Sequence, residues 1–172
     1  MATVDVLLSE LDHNTNQLTE ILLDFDTTSF TKRPDENSWS AAEVAEHIYV
    51  LDKVIHGILS GETASSDRPS DEKVVLIKSV MSNRSRTLVA PDPIVPLGKV
   101  KEQQLIIPKI IRSRKELYTL IQSAELSLLC KSFEHKGFGP MTRLEWVVFL
   151  IAHTQRHFGQ FASLSEHFNN LR

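Results

Sequence analysis

Met141-Thr142-Arg143-Leu144-Glu145-Trp146-Val147-Val148-Phe149-Leu150-Ile151-Ala152-His153-Thr154-Gln155-Arg156-His157 opens the last helix of the chain, which the spacing carries to Phe168. Trp146, Leu150, His153, His157, Phe161, Leu164 and Phe168 recur at steps of three and four residues, so they share one face of an α-helix. Two imidazoles therefore stand one turn apart inside the stripe that faces a core. A polar group pointing inward has to be hydrogen-bonded or ligated. The start of the helix is marked by Thr142 with Glu145 three residues on, the reciprocal pair that satisfies two orphan backbone donors.

Working outward, the same periodicity predicts three more long helices. The first runs over residues 4 to 25 on Val4, Leu7, Leu8, Leu11, Leu18, Ile21, Leu22 and Phe25, with Asn14 and Thr15 interrupting the stripe at its middle. His13 lies beside that stripe and reads as a surface residue. After a polar connector, Ser40 and Glu43 form a second Ser-x-x-Glu start. The second helix then continues to about Leu59 on Val44, His47, Ile48, Leu51, Val54, Ile55 and Ile58, with Ser60-Gly61 as its stop. Ser70 can cap a short helix reaching about Asn83. Pro91, Pro93 and Pro96 impose an extended crossing over residues 90 to 98. The third long helix covers about 101 to 124 on Leu105, Ile106, Ile110, Leu117, Leu120, Ile121 and Ala124; Pro108 should kink it or delay its start. The expected architecture is one all-α domain over residues 1–172. It is a four-helix bundle with a long crossover between helices two and three, which leaves those two free to run parallel or antiparallel.

Three histidines thus occupy core-stripe positions: His47 on the second long helix, His153 and His157 on the fourth. Three neutral imidazoles converging from facing helices suit a divalent ion such as zinc or nickel. Neither of two familiar metal patterns applies. A zincin carries glutamate directly after its first histidine, where this chain has Thr154. A di-iron bundle needs two Glu-x-x-His pairs, and the chain offers one such spacing, Glu10 to His13, off the main stripe. Three neutral ligands leave a coordination position open and the ion's charge uncompensated, so bound water is acidified and a bound thiol becomes a thiolate. Around the ligands, Glu43, Arg156 and Gln160 are the catalytic candidates: Glu43 as orienter or base, or simply half of its capping box; Arg156 as a clamp for an anionic group, or a surface ion pair, the reading preferred; Gln160 as a cavity-lining residue. Trp39 and Trp146 read as packing residues, and Cys130 as a small buried apolar one.

At these positions the chain resembles the DinB-like (YfiT-like) superfamily. The likeness rests on Asn37-Ser38-Trp39-Ser40, Glu43-Val44 and His47-Ile48, then Met141-Thr142 with Glu145-Trp146, then His153, Arg156-His157 and Gln160; Ala90-Pro91 and Pro96 are similar to the linker of its YfiT-like members. It covers nearly the whole chain. The superfamily consists of four-helix bundles related to bacillithiol S-transferases and to mycothiol-dependent maleylpyruvate isomerase. The resemblance implies a divalent metal held by His47, His153 and His157, open positions for water or substrate, and a homodimer. The expected function is a metal-dependent hydrolase or low-molecular-weight-thiol S-transferase acting on a small molecule. The alternative is a non-catalytic dimeric helical binding or stress-response protein with a structural or vestigial metal site.

Bulk composition sets the remaining bounds. Across 172 residues, 41% are hydrophobic, 24% are charged and the formal net charge is −3 with the two signs interspersed. No clustered basic face is present, so a nucleic-acid partner is not expected. Arg84 with Arg86, and Arg112, Arg114 and Lys115, read as solvated helix faces. One cysteine excludes an internal disulfide and a cysteine-based zinc framework. The longest apolar run, Trp146 to Ala152, is too short for a bilayer, and Asp5 and Glu10 break up the N-terminal segment, so a cytoplasmic protein with no membrane partner is expected.

Overall fold

Ser40 and Thr142 start their helices as the sequence predicts. Each hydroxyl accepts the amide of the glutamate three residues on, and that glutamate returns a bond to the cap's own amide. The computed structural model describes residues 3–85 and 90–170; Arg86, paired with Arg84 in the sequence reading, lies outside them. The long helices are α1 (Val4–Leu23), α3 (Ala41–Ser60), α5 (Gln103–Ser123) and α6 (Arg143–Asn169); the short ones are α2 (Thr27–Thr31) and α4 (Val74–Ser82). Strands β1 (Thr63–Ala64) and β2 (Leu129–Cys130) pair antiparallel and tie the crossover to the loop before α6. The connector before α3 holds α2, which the sequence reading passed over: Asp26 caps it by accepting the amides of Thr28 and Ser29. Pro108 sits inside α5, which continues through it; the missing N–H deprives the Gln104 carbonyl of its helical partner.

Both α1 and α3 pack against both α5 and α6, which gives a four-helix bundle. The crossover, residues 61–102, lays α4 along α6 and includes a 3-10 turn at Asp92–Ile94. It also settles the direction left open above. Ala42 and Ala45 cluster with Ile106 and Ile110 near the starts of α3 and α5, while Lys53 bonds Glu116 further along both, so the two helices run parallel. Against α6, α3 runs antiparallel: Arg143 at the start of α6 donates to the carbonyl of Leu59 at the end of α3.

The core has two parts with a polar layer between them. One part gathers Leu7 and Leu11, Ile55 and Leu59, Leu117 and Ile121, and Trp146 to Ala152. The other gathers Leu18 and Leu22, Val44 and Ile48, Ile106 and Ile110, and Phe161 to Phe168. At the junction each long helix contributes one buried polar side chain. Arg114 on α5 donates through Nε to Asp52 Oδ2 on α3 at 2.7 Å, through Nη1 to Asn14 Oδ1 on α1 at 3.2 Å, and through Nη2 to Thr154 Oγ1 on α6 at 2.7 Å. Arg114 is 2% exposed and Asp52 0%. The surface reading of Arg114 is therefore corrected: the run of three basic residues resembles a solvated face, but Arg114 lies between Ile110 and Leu117 on the buried stripe. Leu105 is corrected the other way; it is 59% exposed, because the stripe of α5 begins at Ile106.

A buried ion pair this deep loses hydration on both charges, and its stabilising power depends on every remaining donor and acceptor being met. Burial raises the Asp52 carboxyl to about 6 even with Arg114 beside it. The crossover is anchored by a second pair: both Nη atoms of Arg68 fork onto the two carboxylate oxygens of Glu145 at 2.7 Å, and Lys73 gives its amide to the same carboxylate.

Candidate metal centre

His47, His153 and His157 come together at the level of the polar junction. One nitrogen from each lies within 4.8 Å of the others. Helical geometry explains the convergence. His153 and His157 are one turn apart on α6, with ring centroids 4.6 Å apart, and antiparallel α3 brings the His47 ring to 5.1 Å from His153 and 5.0 Å from His157. Trp39, just before the cap of α3, covers His47 with centroids 5.0 Å apart, and Phe149 lies against His153 at 5.5 Å. His47 and His157 are buried and His153 is half-buried.

Hydrogen bonds fix which nitrogen faces inward on His47 and His157, whereas Nδ1 of His153 is buried with no partner among the described residues. His47 Nδ1–H donates to the carbonyl of Ile94 at 2.6 Å, leaving the Nε2 lone pair free. His157 Nδ1–H donates to Gln160 Oε1 at 2.9 Å, and its Nε2 is buried without a partner among the described residues. The Nε2 atoms of His47 and His153 stand 3.4 Å apart. Nitrogens held 2.0–2.1 Å from a tetrahedral zinc are separated by about 3.3–3.4 Å. Converging lone pairs repel one another unless a cation or proton lies between them, so this donor set fits a divalent ion.

Protonation favours the same state. Burial lowers all three imidazoles: His47 against the opposing pull of the Ile94 carbonyl, His157 to about 4 with His47 adding to the effect, and His153 well below its ordinary value with His157, His47, Arg114 and Arg156 adding theirs. At neutral pH the three rings are uncharged, the form that binds metal. No cysteine, carboxylate or further histidine joins the group among the described residues. His13 is exposed on α1 and Cys130 is buried with its thiol pushed up to about 11.

The three flanking candidates have distinct placements. Gln160 touches the histidine group directly, as the acceptor for His157. Glu43 is committed to its helix cap and to a forked pair with Arg33; burial works against its charge, but those bonds hold its carboxyl below the ordinary range. Arg156 donates to the carbonyls of Met81 and Asn83, closing the end of α4 onto α6. Sequence reasoning missed the Ile94 carbonyl, because a backbone acceptor leaves no trace in residue identity. The polar junction was open to the logic that found the histidines, since Asn14, Asp52 and Arg114 each interrupt an apolar stripe at core spacing.

Comparison with solved structures finds a fold similar to "Crystal structure of TT2238, a four-helix bundle protein". The TM-score is 0.60 at 16% identity, over 94% of this chain and 99% of that one. Comparison with curated proteins finds no match. The model of the DinB superfamily matches residues 10–161, which take in the three histidines and all but the ends of the bundle. The chain belongs to the DinB superfamily.

Proposed function

We propose that this chain is a divalent-metal-dependent enzyme that activates a small nucleophile, water in a hydrolase or a low-molecular-weight thiol in an S-transferase, for attack on a small-molecule substrate. The observation that carries the reading is the Nε2 of His157, buried without a partner among the described residues, in a group whose three rings offer nitrogens within 4.8 Å of one another. Zinc or nickel suits three neutral imidazoles. Such an ion, when bound, would acidify water or convert a thiol to the thiolate.

The chain's own residues supply the rest. The carbonyl of Ile94 and the amide of Gln160 hold two rings in the ligating tautomer. Trp39 and Phe149 give the site apolar walls that exclude water from part of it. The half-buried edge at His153 is the approach for substrate. Structural zinc centres close with four protein ligands; the three-residue group supports an open centre instead. The homodimer implied by the resemblance is part of the proposal and is read by light scattering.

The test is elemental analysis of untagged protein purified without chelator. About one divalent ion per chain is expected in the wild type, with loss in His47→Ala and His157→Ala. A wild type that carries no metal and takes none up on reconstitution refutes the proposal. A screen of ester and amide substrates with and without low-molecular-weight thiols then separates the two chemistries.

A further inference from the structure

The two bonds that orient the buried histidines are of different kinds. His47 is held by a backbone carbonyl, which can only accept. His157 is held by a side-chain amide, which can accept through one end or donate through the other. If Gln160 turned its NH2 group toward Nδ1, His157 would have to carry its proton on Nε2. That proton would point into the cluster, toward nitrogens within 4.8 Å. With Oε1 toward Nδ1, the lone pair faces the cluster instead. Gln160 stands one turn beyond His157 on α6, so one rigid helix supplies both the ring and the group that orients it.

We propose that Gln160 is a positioning residue of the metal centre, fixing His157 in the Nε2-ligating tautomer while adding no charge. The proposal rests on the metal reading above. A carboxylate at this place would serve as a stronger acceptor and would feed negative charge through the ring to the ion. The neutral amide orients His157 without that charge. The centre therefore keeps the full positive charge that acidifying water or a thiol requires. Gln160 is thus expected to set a balance: metal held less tightly than a carboxylate partner would allow, with a more acidic nucleophile in return.

The test measures zinc affinity of the untagged full chain by competition with a chromophoric chelator, for wild type, Gln160→Leu and Gln160→Glu. Gln160→Leu is expected to bind about 10- to 100-fold more weakly, the loss typical of removing a partner behind a ligating histidine. Gln160→Glu is expected to bind about tenfold more tightly than wild type, which a role in packing alone would not produce. Wild-type binding with the leucine variant within twofold overturns the proposal and leaves the metal reading standing. Failure of the wild type to bind zinc, or nickel in the same competition, overturns both. Should the leucine variant fail to fold, the glutamate variant decides, and affinity equal to or below wild type overturns the assignment.

Discussion

Replacing Arg114 by methionine removes the donor at the centre of the polar junction and leaves the Asp52 carboxylate, 0% exposed, without its counter-ion. Breaking a buried pair by deleting one partner costs about 3–5 kcal/mol. Here Asn14 Oδ1 also loses its donor, whereas Thr154 keeps its bond to the Leu150 carbonyl. For a chain of this size each kcal/mol shifts Tm by roughly 2–4 °C, so a fall of about 6–20 °C is expected. Urea unfolding gives the free energy directly. The double variant Asp52→Leu with Arg114→Met removes both charges and should lie closer to wild type than Arg114→Met does. The unmet Asn14 oxygen should leave a residual cost of about 1–3 kcal/mol. The penalty should also depend on pH. Without Arg114 the Asp52 carboxyl rises beyond its present value of about 6, far above 3.8 in the unfolded chain. A carboxyl raised on folding stabilises in acid and loses that contribution as pH rises through its folded value. The difference between Arg114→Met and wild type should accordingly be smaller at pH 5 than at pH 8. A loss below about 1 kcal/mol, the range of exposed ion pairs, or a double variant worse than the single one, refutes the reasoning.

Two further outcomes are expected. The metal-free protein should lose stability as pH falls from 6.5 toward about 4, because the unfolded chain takes up protons that the buried rings refuse. For His157 alone the span from 6.5 to about 4 corresponds to about 3 kcal/mol, so His157→Gln should flatten the decline in urea titrations at pH 7.5 and pH 5; an unchanged slope counts against the burial argument. Glu145→Gln removes the charge that holds Arg68 and weakens the bond to the Lys73 amide. Hydrogen exchange should show the Lys73 amide losing protection, with a stability loss below about 3 kcal/mol because Arg68 can turn to water; retained protection would show that the crossover is held elsewhere.

What the sequence disclosed follows from how far each interaction reaches. Capping boxes are completed within four residues, and both were readable from Ser40 with Glu43 and Thr142 with Glu145. The histidine group needed only helical phase and one assumption about which stripes face each other. The members of the polar junction each interrupt an apolar stripe, but their pairing needed four helices in register: Asn14 and Arg114 are 100 residues apart, and the neighbouring basic residues drew Arg114 into a surface reading. The direction of α5 relative to α3 depended on how the crossover is folded, which no local pattern encodes. Strands of two residues, such as β1 and β2, carry no periodicity to detect.

The carbonyl of Ile94 has a consequence for how this protein tolerates change. An acceptor carried by the main chain survives replacement of the side chain at 94, so amino-acid exchange there should spare the orientation of His47. Inserting or deleting one residue between the prolines at 91 and 96 is another matter. It would slide a different carbonyl, or none, opposite the imidazole. The crossover acts as a ruler whose length, more than its lettering, keeps the first histidine aimed.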